Sequence, residues 1–311
     1  MSVEQNILRE YERLRLKNEL ELEERLAKVS CLPGVSKIQR RLGKEYSAFF
    51  ACRPGAAERD DALKRIASLN DQIKAALEAS GLTRDYLEPQ YHCKTCRDTG
   101  FLENSRRCRC FEKKIAAYYA KAWGMADTGA SFSSFDLSVF KDAEHLEHIK
   151  RLLPVCKKYA SDFPATKKRN MLFIGKAGLG KTYMMESVCR EVSSRGHGVI
   201  FITAYRLIEI IMQSGFGDER ATAVSELISC PLLAIDDLGS EPMYNNMTVE
   251  ILFNILNERM TRRRHTLICT NLVLERIQER YGDRIASRLF DTGSTIISLF
   301  KGRDLRLSHH F

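Results

Sequence analysis

The chain carries two different patterns of apolar and polar residues. From about residue 136 onward, short apolar runs alternate with amphipathic stretches. The apolar runs predict buried strands at residues 171–174, 198–202, 231–235 and 265–270. The stretches between them predict helices at residues 181–193, 204–213, 247–260 and 273–280. This alternation predicts an α/β fold with a mostly parallel sheet covered by helices on both faces.

The N-terminal part shows dense charge with leucines at helical spacing. Helical stretches are predicted at residues 2–29, 35–51 and about 56–80. These stretches contain no catalytic constellation. They predict a small helical module that serves for docking or for multimerisation.

The composition adds an expectation about partners and compartment. The net charge of +9 and the pI near 9.0 favour an anionic partner. Nucleic acid is the first candidate, and a generally basic surface is the alternative. No apolar run is long enough to span a bilayer, and the N-terminus lacks the plan of a signal peptide. We therefore expect a cytoplasmic protein with no membrane partner.

An octet after the first predicted strand carries the clearest chemical signal. Residues 175–182 read Gly-Lys-Ala-Gly-Leu-Gly-Lys-Thr, which matches the phosphate-binding pattern G-x-x-x-x-G-K-[ST] at every fixed position. The glycines that let its backbone turn tightly around an anion are Gly175, Gly178 and Gly180. Lys181 can reach the β- and γ-phosphates, and the Thr182 hydroxyl can bind Mg²⁺. The octet therefore predicts a nucleotide site.

Two acids follow the predicted strand 231–235. Asp236 and Asp237 stand where the carboxyl ends of strands in such a sheet face a ligand crevice. Asp236 is predicted to hold Mg²⁺ opposite Thr182, and Asp237 to orient or deprotonate the attacking water. The alternative is a pair of aspartates that caps a helix.

Further polar residues are candidate parts of the same site. Asn271 follows the strand 265–270, where its amide can bind the γ-phosphate or the water; a turn-forming asparagine is the alternative. Arg284 and Arg288 share one helix face, which suits either a charge supplied to a neighbouring copy or a solvated basic face. Arg306 is a weaker candidate for a phosphate contact within the chain.

Four cysteines cluster between the two patterns. They are Cys93, Cys96, Cys108 and Cys110. The C-x₂-C spacing lets two thiolates bind one ion, and a ribbon of this size has almost no core, so a metal would supply its folding free energy. We predict a structural zinc site. A redox pair, an iron–sulfur site and the replacement of one ligand by His92 are the alternatives.

These signals, in a chain longer than a typical single domain, divide it into parts. A helical docking module covers residues 1–90, a zinc-binding segment 91–112, a linker 113–135 and a nucleotide-binding domain 136–311.

The motifs, taken in order, resemble a known family. The segments are Gly-Lys-Ala-Gly-Leu-Gly-Lys-Thr, Leu-Leu-Ala-Ile-Asp-Asp-Leu-Gly-Ser-Glu, Cys-Thr-Asn-Leu and Arg-Ile-Ala-Ser-Arg-Leu. Over roughly residues 130–311 the chain is similar to AAA+ ATPases of the bacterial replicative helicase loader type (DnaC/DnaI). It is also similar to the related IstB-type transposition helper ATPases.

The resemblance implies a role for each matching residue. The matches are residues 175–182 for Walker A, Asp236 and Asp237 for Walker B, Asn271 for sensor 1, Arg288 for the arginine finger and Arg306 for sensor 2. Arg284 lies in the same motif as the finger. Many AAA+ proteins end Walker B in Asp-Glu, whereas this chain has Asp-Asp, so either Asp237 or Glu241 activates the water.

The resemblance also implies cofactors and partners. The cofactors are ATP, Mg²⁺ and Zn²⁺, and the partners are a hexameric replicative helicase, single-stranded DNA and further copies of the AAA+ domain. Residues 203–208 resemble the DNA-facing helix of the loaders, where Tyr205 beside Arg206 can stack on a base; ordinary packing is the alternative. The basic run 262–264 is either a DNA contact or a solvated helix end. We expect ATP-dependent loading of the helicase, with a transposition helper or a nucleotide-gated adaptor without significant turnover as alternatives.

Overall fold

The computed structural model describes residues 3–32, 34–53, 57–124, 129–214, 217–244 and 246–306. Contacts group the chain into two compact units. One comprises Leu8–Arg106, and the other comprises Met1–Ile7 with Arg107–Phe311. The four-part division expected from the sequence stays a prediction, and residues 125–128 of its linker lie outside the described residues.

The helices follow one another through both units. In chain order they are α1 (Val3–Ser30), α2 (Val35–Ala51), α3 (Ala57–Ala79), α4 (Arg109–Trp123), α5 (Ala143–Asp162), α6 (Lys181–Ser194), α7 (Ala204–Gln213), α8 (Asp218–Ser229), α9 (Met247–Thr261), α10 (Leu274–Tyr281) and α11 (Asp283–Leu289). Among the described residues, no helix combines the length and the apolar character needed to cross a bilayer.

The larger unit is built on a parallel sheet. Its strands are β1 (Asn170–Ile174), β2 (Val199–Thr203), β3 (Leu232–Leu238), β4 (His265–Thr270) and β5 (Thr295–Leu299). They lie in the order β2-β3-β4-β1-β5, and every neighbouring pair is parallel. The predicted α/β fold is therefore confirmed. The edge strand β5 is missing from the sequence prediction because its short run is only partly buried, which blurs the apolar signal.

Helices cover both faces of this sheet. Met171 and Phe173 of β1 belong to a buried cluster with side chains of α5 and α6. The alternate residue Leu172 is also buried, and it lies with Leu256 of α9 on the other face. Because each buried large apolar side chain contributes about 1.5–3 kcal/mol, the sheet is a firm base for the residues at its carboxyl ends.

The smaller unit is helical, as the leucine spacing predicts. Helix α3 buries Ile66, Leu69, Ile73 and Leu77, which recur every three or four residues along one face. Ile73 and Leu77 form a small core with Val29 and Val35 from the ends of α1 and α2. The three predicted helical stretches are confirmed as α1, α2 and α3.

Candidate functional site

The phosphate-binding loop connects β1 to the N-terminus of α6. Gly178 and Gly180 have φ angles of 74° and 85°, in the left-handed region that favours glycine. A Cβ on Gly175 would collide with the backbone of Phe300. Glycine is therefore required at these positions, and the loop curls around the amide end of α6, where an anion is favoured.

Lys181 is the first residue of α6, and its side chain lies along the loop. Its Nζ donates hydrogen bonds to the carbonyl oxygens of Gly175 and Lys176, each at 2.6 Å. Burial lowers the pKa of Lys181. The ammonium group is thus partly desolvated and is held by carbonyl groups of the loop. From this position it can exchange these partners for a phosphate oxygen.

The two predicted magnesium ligands lie next to each other. The Thr182 hydroxyl donates to both carboxylate oxygens of Asp236, at 3.1 and 3.0 Å. Burial raises the pKa of Asp236. A hydroxyl and a carboxylate are the hard oxygen ligands that Mg²⁺ prefers, so the residues present fit this ion.

Asp237 is exposed and adopts a left-handed backbone with φ of 53°. The pairing of β3 with β4 shifts register between Ile235 and Leu238, so Asp237 lies in an irregularity of the strand. A non-glycine residue in this region carries strain that surrounding contacts must hold. Both Asp236 and Asp237 line a cavity over the phosphate loop.

A cavity of about 700 Å³ opens over the phosphate loop. Its lining includes the polar residues Lys181 and Asp236 and the aromatic residues Phe135 and Phe140. The two rings are nearly parallel, with centroids 6.0 Å apart. The size and the mixture of polar and aromatic lining residues suit a nucleoside triphosphate. The sequence does not predict this aromatic pair, because its signal is no more than two phenylalanines in and just after the predicted linker.

The C-terminal candidate Arg306 also lines the cavity. The preceding residues hold it against the phosphate loop, because Leu305 N–H donates to Gly178 O at 2.9 Å. Arg306 N–H in turn donates to Asp304 Oδ1 at 2.9 Å. The structure therefore brings Arg306 to the Walker residues.

Asn271 lies close to the Walker B strand. It is exposed just after β4, and a Cβ on Gly239 would lie 3.6 Å from its Oδ1. It is not among the described residues that line the cavity.

The candidate finger arginines lie away from the cavity of their own chain. Arg288 Nη2 donates to Asn257 Oδ1 at 2.6 Å, and its guanidinium lies 4.4 Å from the ring centroid of Phe253. Arg284 is 5.8 Å from the same centroid. Both side chains thus pack on α9, and neither is among the described residues lining the cavity.

Glu241, the alternative water-activating residue, is buried, with only 1% of its surface exposed. Its carboxylate accepts hydrogen bonds from Gly239 N–H, Arg280 Nε and the Tyr281 hydroxyl. It is absent from the described residues that line the cavity. The structure therefore brings Asp237 to the cavity and not Glu241.

The cysteines form a second candidate site. The sulfur atoms of Cys93, Cys96, Cys108 and Cys110 all lie within 4.8 Å of one another. Four thiolates around one tetrahedral ion, each about 2.3 Å from it, suit zinc. The cluster could therefore bind zinc. The side chain of His92 is 63% exposed, and its Nδ1 lies 3.5 Å from Asp98.

Asp98, which is not among the residues predicted from the sequence, organises the first cysteine pair. Its carboxylate is fully buried and accepts hydrogen bonds from the N–H groups of His92 and Cys93, at 2.9 and 2.8 Å. Asn18 Nδ2 donates to it at 3.2 Å. Gly100 N–H points to Cys96 Sγ at 3.4 Å. An acid two residues after the C-x₂-C pair is the signal that could have identified it.

The candidate DNA-facing residues are exposed. Tyr205 has 51% of its surface exposed at the start of α7, so it is not a core residue. Arg206 pairs with Glu209 at 2.6 Å. In the basic run 262–264, Arg262 pairs with Glu258 and Arg264 lies 4.0 Å from Glu4, so part of that charge is balanced.

Comparison with known proteins gives a family match. A model described as IstB-like ATP binding protein matches residues 130–293. The replicative helicase loader DnaC of Escherichia coli (strain K12) is 28% identical over 126 residues, which cover 39% of this chain and 49% of DnaC. A putative ATP-binding protein of insertion sequence IS232, from Bacillus thuringiensis subsp. berliner, is 22% identical over 148 residues, covering 46% and 58%. The chain thus spans about half the length of the curated relatives it matches.

A solved structure is also similar. The crystal structure of DnaI has 20% sequence identity and covers 57% of this chain and 90% of that chain, with a TM-score of 0.46.

Proposed function

Because the chain belongs to the family of IstB-like ATP binding proteins, matched over residues 130–293, we propose that it is a cytoplasmic ATPase that loads a replicative helicase onto single-stranded DNA. One observation carries the proposal. The Thr182 hydroxyl lies 3.0 Å from the Asp236 carboxylate in a cavity that Lys181 also lines. ATP binding and hydrolysis in this cavity act as the switch.

The cavity residues support the proposal that ATP is bound here. The amide groups of the loop and the N-terminus of α6 receive the phosphates. Lys181 exchanges its loop carbonyl partners for phosphate oxygens, and the arriving negative charge stabilises its ammonium form against the desolvation that lowers its pKa. The base packs toward Phe135 and Phe140. Arg306 adds a cation from the same chain.

The same residues support the proposal of hydrolysis. Mg²⁺, held by Thr182 and Asp236, would neutralise developing charge on the phosphates. Asp237 accepts a proton from a water molecule as that water attacks the γ-phosphorus. The bond between the γ-phosphorus and the bridging oxygen breaks, and the electron pair leaves with ADP. Asn271 orients the attacking water.

A neighbouring copy completes the site. Arg288 packs on α9 of its own chain and does not line its own cavity, which supports a role in the cavity of the next copy. There its guanidinium stabilises charge on the transferred phosphoryl group. Self-assembly through the AAA+ domain is therefore part of the proposal, and Arg284 is the second candidate for this role.

The N-terminal helices and the cysteines serve partner binding. The helical unit docks on the hexameric helicase, and zinc at the four cysteines stabilises the segment next to it. Tyr205 and Arg206 contact single-stranded DNA, since an exposed aromatic ring beside a cation suits base stacking and a phosphate.

The ATPase step is tested with Asp237→Asn in the full chain. We expect turnover to fall by about 100-fold or more, because a general base contributes that much, while affinity for an ATP analogue stays within about twofold. Asp218→Asn, at an exposed aspartate at the start of α8 that is not among the described residues lining the cavity, is the matched control and should keep normal turnover. Wild-type turnover no higher than that of Lys181→Ala, with binding retained, would instead support a nucleotide-gated adaptor.

The loading step is tested with the full chain, its host's replicative helicase and circular single-stranded DNA. We expect ATP-dependent transfer of the helicase to the circle, and none with Lys181→Ala. If zinc-replete protein does not bind the helicase, the loader role is wrong.

The second candidate function is a transposition helper. It is favoured by the family match and by the similarity to the IS232 protein. Affinity for single- and double-stranded DNA in the presence of ATP separates the two functions. A preference for the duplex, together with stimulation of a transposase, would favour the helper.

A further inference from the structure

The buried carboxylate of Glu241 connects the turn after Asp237 to the end of α10, which precedes the helix that carries Arg288. The side chain of Glu241 is fully buried. Its Oε2 accepts a hydrogen bond from Gly239 N–H at 2.8 Å, and its Oε1 accepts from Arg280 Nε at 3.2 Å and from the Tyr281 hydroxyl. Arg280 Nη2 also donates to the Glu241 carbonyl at 2.6 Å.

These contacts make Glu241 unsuitable as a base. A buried carboxylate is stable only when charge and hydrogen bonds compensate its desolvation, and here an arginine, a hydroxyl and a backbone amide do so. Burial also raises the pKa of Tyr281, so its hydroxyl remains a donor. Glu241 is therefore a fixed acceptor that holds two chain segments together.

The first segment is the loop that follows Asp237. Ser240 N–H and Oγ both bind the Asp237 carbonyl, at 3.1 and 2.8 Å. The Glu241 carboxylate closes the same turn at Gly239. Since Asp237 has a left-handed φ of 53°, its direction depends on this turn.

The second segment is the start of α11. Tyr281 is the last residue of α10, and Gly282, with φ of 78°, is the single residue between α10 and α11. Helix α11 carries Arg288 in its last turn. A hydrogen bond that fixes Tyr281 therefore fixes the point from which α11 starts.

We propose that Glu241 is a positioning residue that sets the Asp237 turn and helix α11 together, so that each copy couples its own hydrolysis site to the arginine it offers to the next copy. The proposal rests on the proposed ATPase function with Arg288 acting in a neighbouring site. It assigns Glu241, Arg280 and Tyr281 a role that the Walker motifs do not give them.

The first test is Tyr281→Phe in the full chain, which removes one donor to Glu241 and keeps the ring. We expect turnover to fall about tenfold, the effect of one hydrogen bond to a charged group, with affinity for an ATP analogue unchanged within about twofold. Tyr244→Phe, at a tyrosine that is 47% exposed, is the matched control and should have normal turnover. Arg280→Lys, which keeps the charge, serves as a second variant if Tyr281→Phe lowers the thermal midpoint.

Mixed assemblies then separate the two segments. The Asp237→Asn variant lacks the proposed base but keeps Arg288, whereas the Arg288→Ala variant keeps the base but lacks the arginine. In a mixed assembly, the site of an Arg288→Ala copy receives Arg288 from an Asp237→Asn copy, so the mixture regains activity. Adding Tyr281→Phe to the Asp237→Asn copy tests its effect on Arg288 in the neighbouring site. Adding it to the Arg288→Ala copy tests its effect on the hydrolysis site of the same chain.

The proposal expects the regained activity to fall about tenfold in both arms. The coupling is overturned if activity falls only when the Arg288→Ala copy carries Tyr281→Phe, or if it falls in neither arm. If the parent mixture regains no activity although wild type hydrolyses ATP, Arg288 does not act in trans, and both that step of the proposed function and the coupling are wrong. Wild type without turnover instead rejects the ATPase function itself.

Discussion

Two regions of the molecule hold their reactive groups by opposite means. They are the carboxyl edge of the sheet and the cysteine-bearing segment. At the edge, Lys181 and Asp236 stand on α6 and β3, whose apolar side chains are buried in the core of the sheet. In residues 91–108, all of them described, the buried residues are Cys96, Asp98, Gly100 and Cys108. The first site is thus built on the buried core, whereas the second has few buried side chains, and a metal bound by its four cysteines could supply the missing stability.

Metal removal gives the largest expected contrast between the two regions. Structural zinc contributes about 10–16 kcal/mol in small zinc peptides, so a strong chelator should abolish the protection of residues 91–108 from hydrogen exchange. Affinity for an ATP analogue should stay the same, because the sheet does not depend on the metal. Exchange measured by mass spectrometry with and without chelator checks both. Unchanged protection would mean that no metal holds this segment.

Lys181→Ala should produce the reverse pattern. We expect the affinity for ATP to fall about 100-fold, or about 2.8 kcal/mol, because the cation proposed to bind the phosphates is lost. The thermal midpoint should not fall, since burial already disfavours the charge of Lys181. Titration with a fluorescent ATP analogue and a thermal scan measure the two effects.

The matched control for this change is Lys176→Ala, at an exposed lysine of the same loop. It should change the affinity by less than about threefold, as a solvated charge contributes little. Equal losses in the two variants would show that net charge, and not the position of Lys181, governs binding.

Asp98→Asn tests how the cysteine segment is supported. The carboxylate holds the N–H groups of His92 and Cys93, and loss of such outer support costs about 10–100-fold in metal affinity. Competition with a chromogenic chelator measures it. Glu103→Gln, at an exposed acid of the same segment, should leave the metal affinity unchanged. A similar loss of affinity in this variant would mean that Asp98 acts through its charge alone.

The smallest expected effect concerns the stability of the nucleotide-free protein. Burial raises the pKa of Asp236, so the folded chain binds this proton more tightly than the unfolded chain does. Stability is therefore lost as the pH rises through the raised pKa. Without Mg²⁺ or nucleotide, Asp236→Asn should stabilise the fold at pH 7 by on the order of 1 kcal/mol.

This gain should vanish below about pH 3.9, the pKa of an unfolded aspartate, where the carboxyl is protonated in both states. Denaturant unfolding at the two pH values measures the difference. A variant less stable than wild type at pH 7 would mean that the hydrogen bond from Thr182 outweighs desolvation.

The features that could be predicted from the sequence are those with a local signal. The phosphate loop needs glycines and Lys181 at fixed spacing, so residues 175–182 reveal it without any tertiary contact. Three features could not be predicted in this way: the strand irregularity at Asp237, the burial of Glu241 and the aromatic pair at Phe135. Each of these depends on residues far away in the chain, such as Arg280 for Glu241, and no spacing rule connects such pairs.

The sequence by itself determined the alternating strands and helices, the phosphate loop and the grouping of four cysteines, because backbone propensity and ligand chemistry act over a few residues. Only the tertiary structure decided which of two acids lines the cavity and which is buried. Asp237 and Glu241 are both carboxylates near the end of β3, and the desolvation and hydrogen bonds that separate them come from α10, which follows later in the chain.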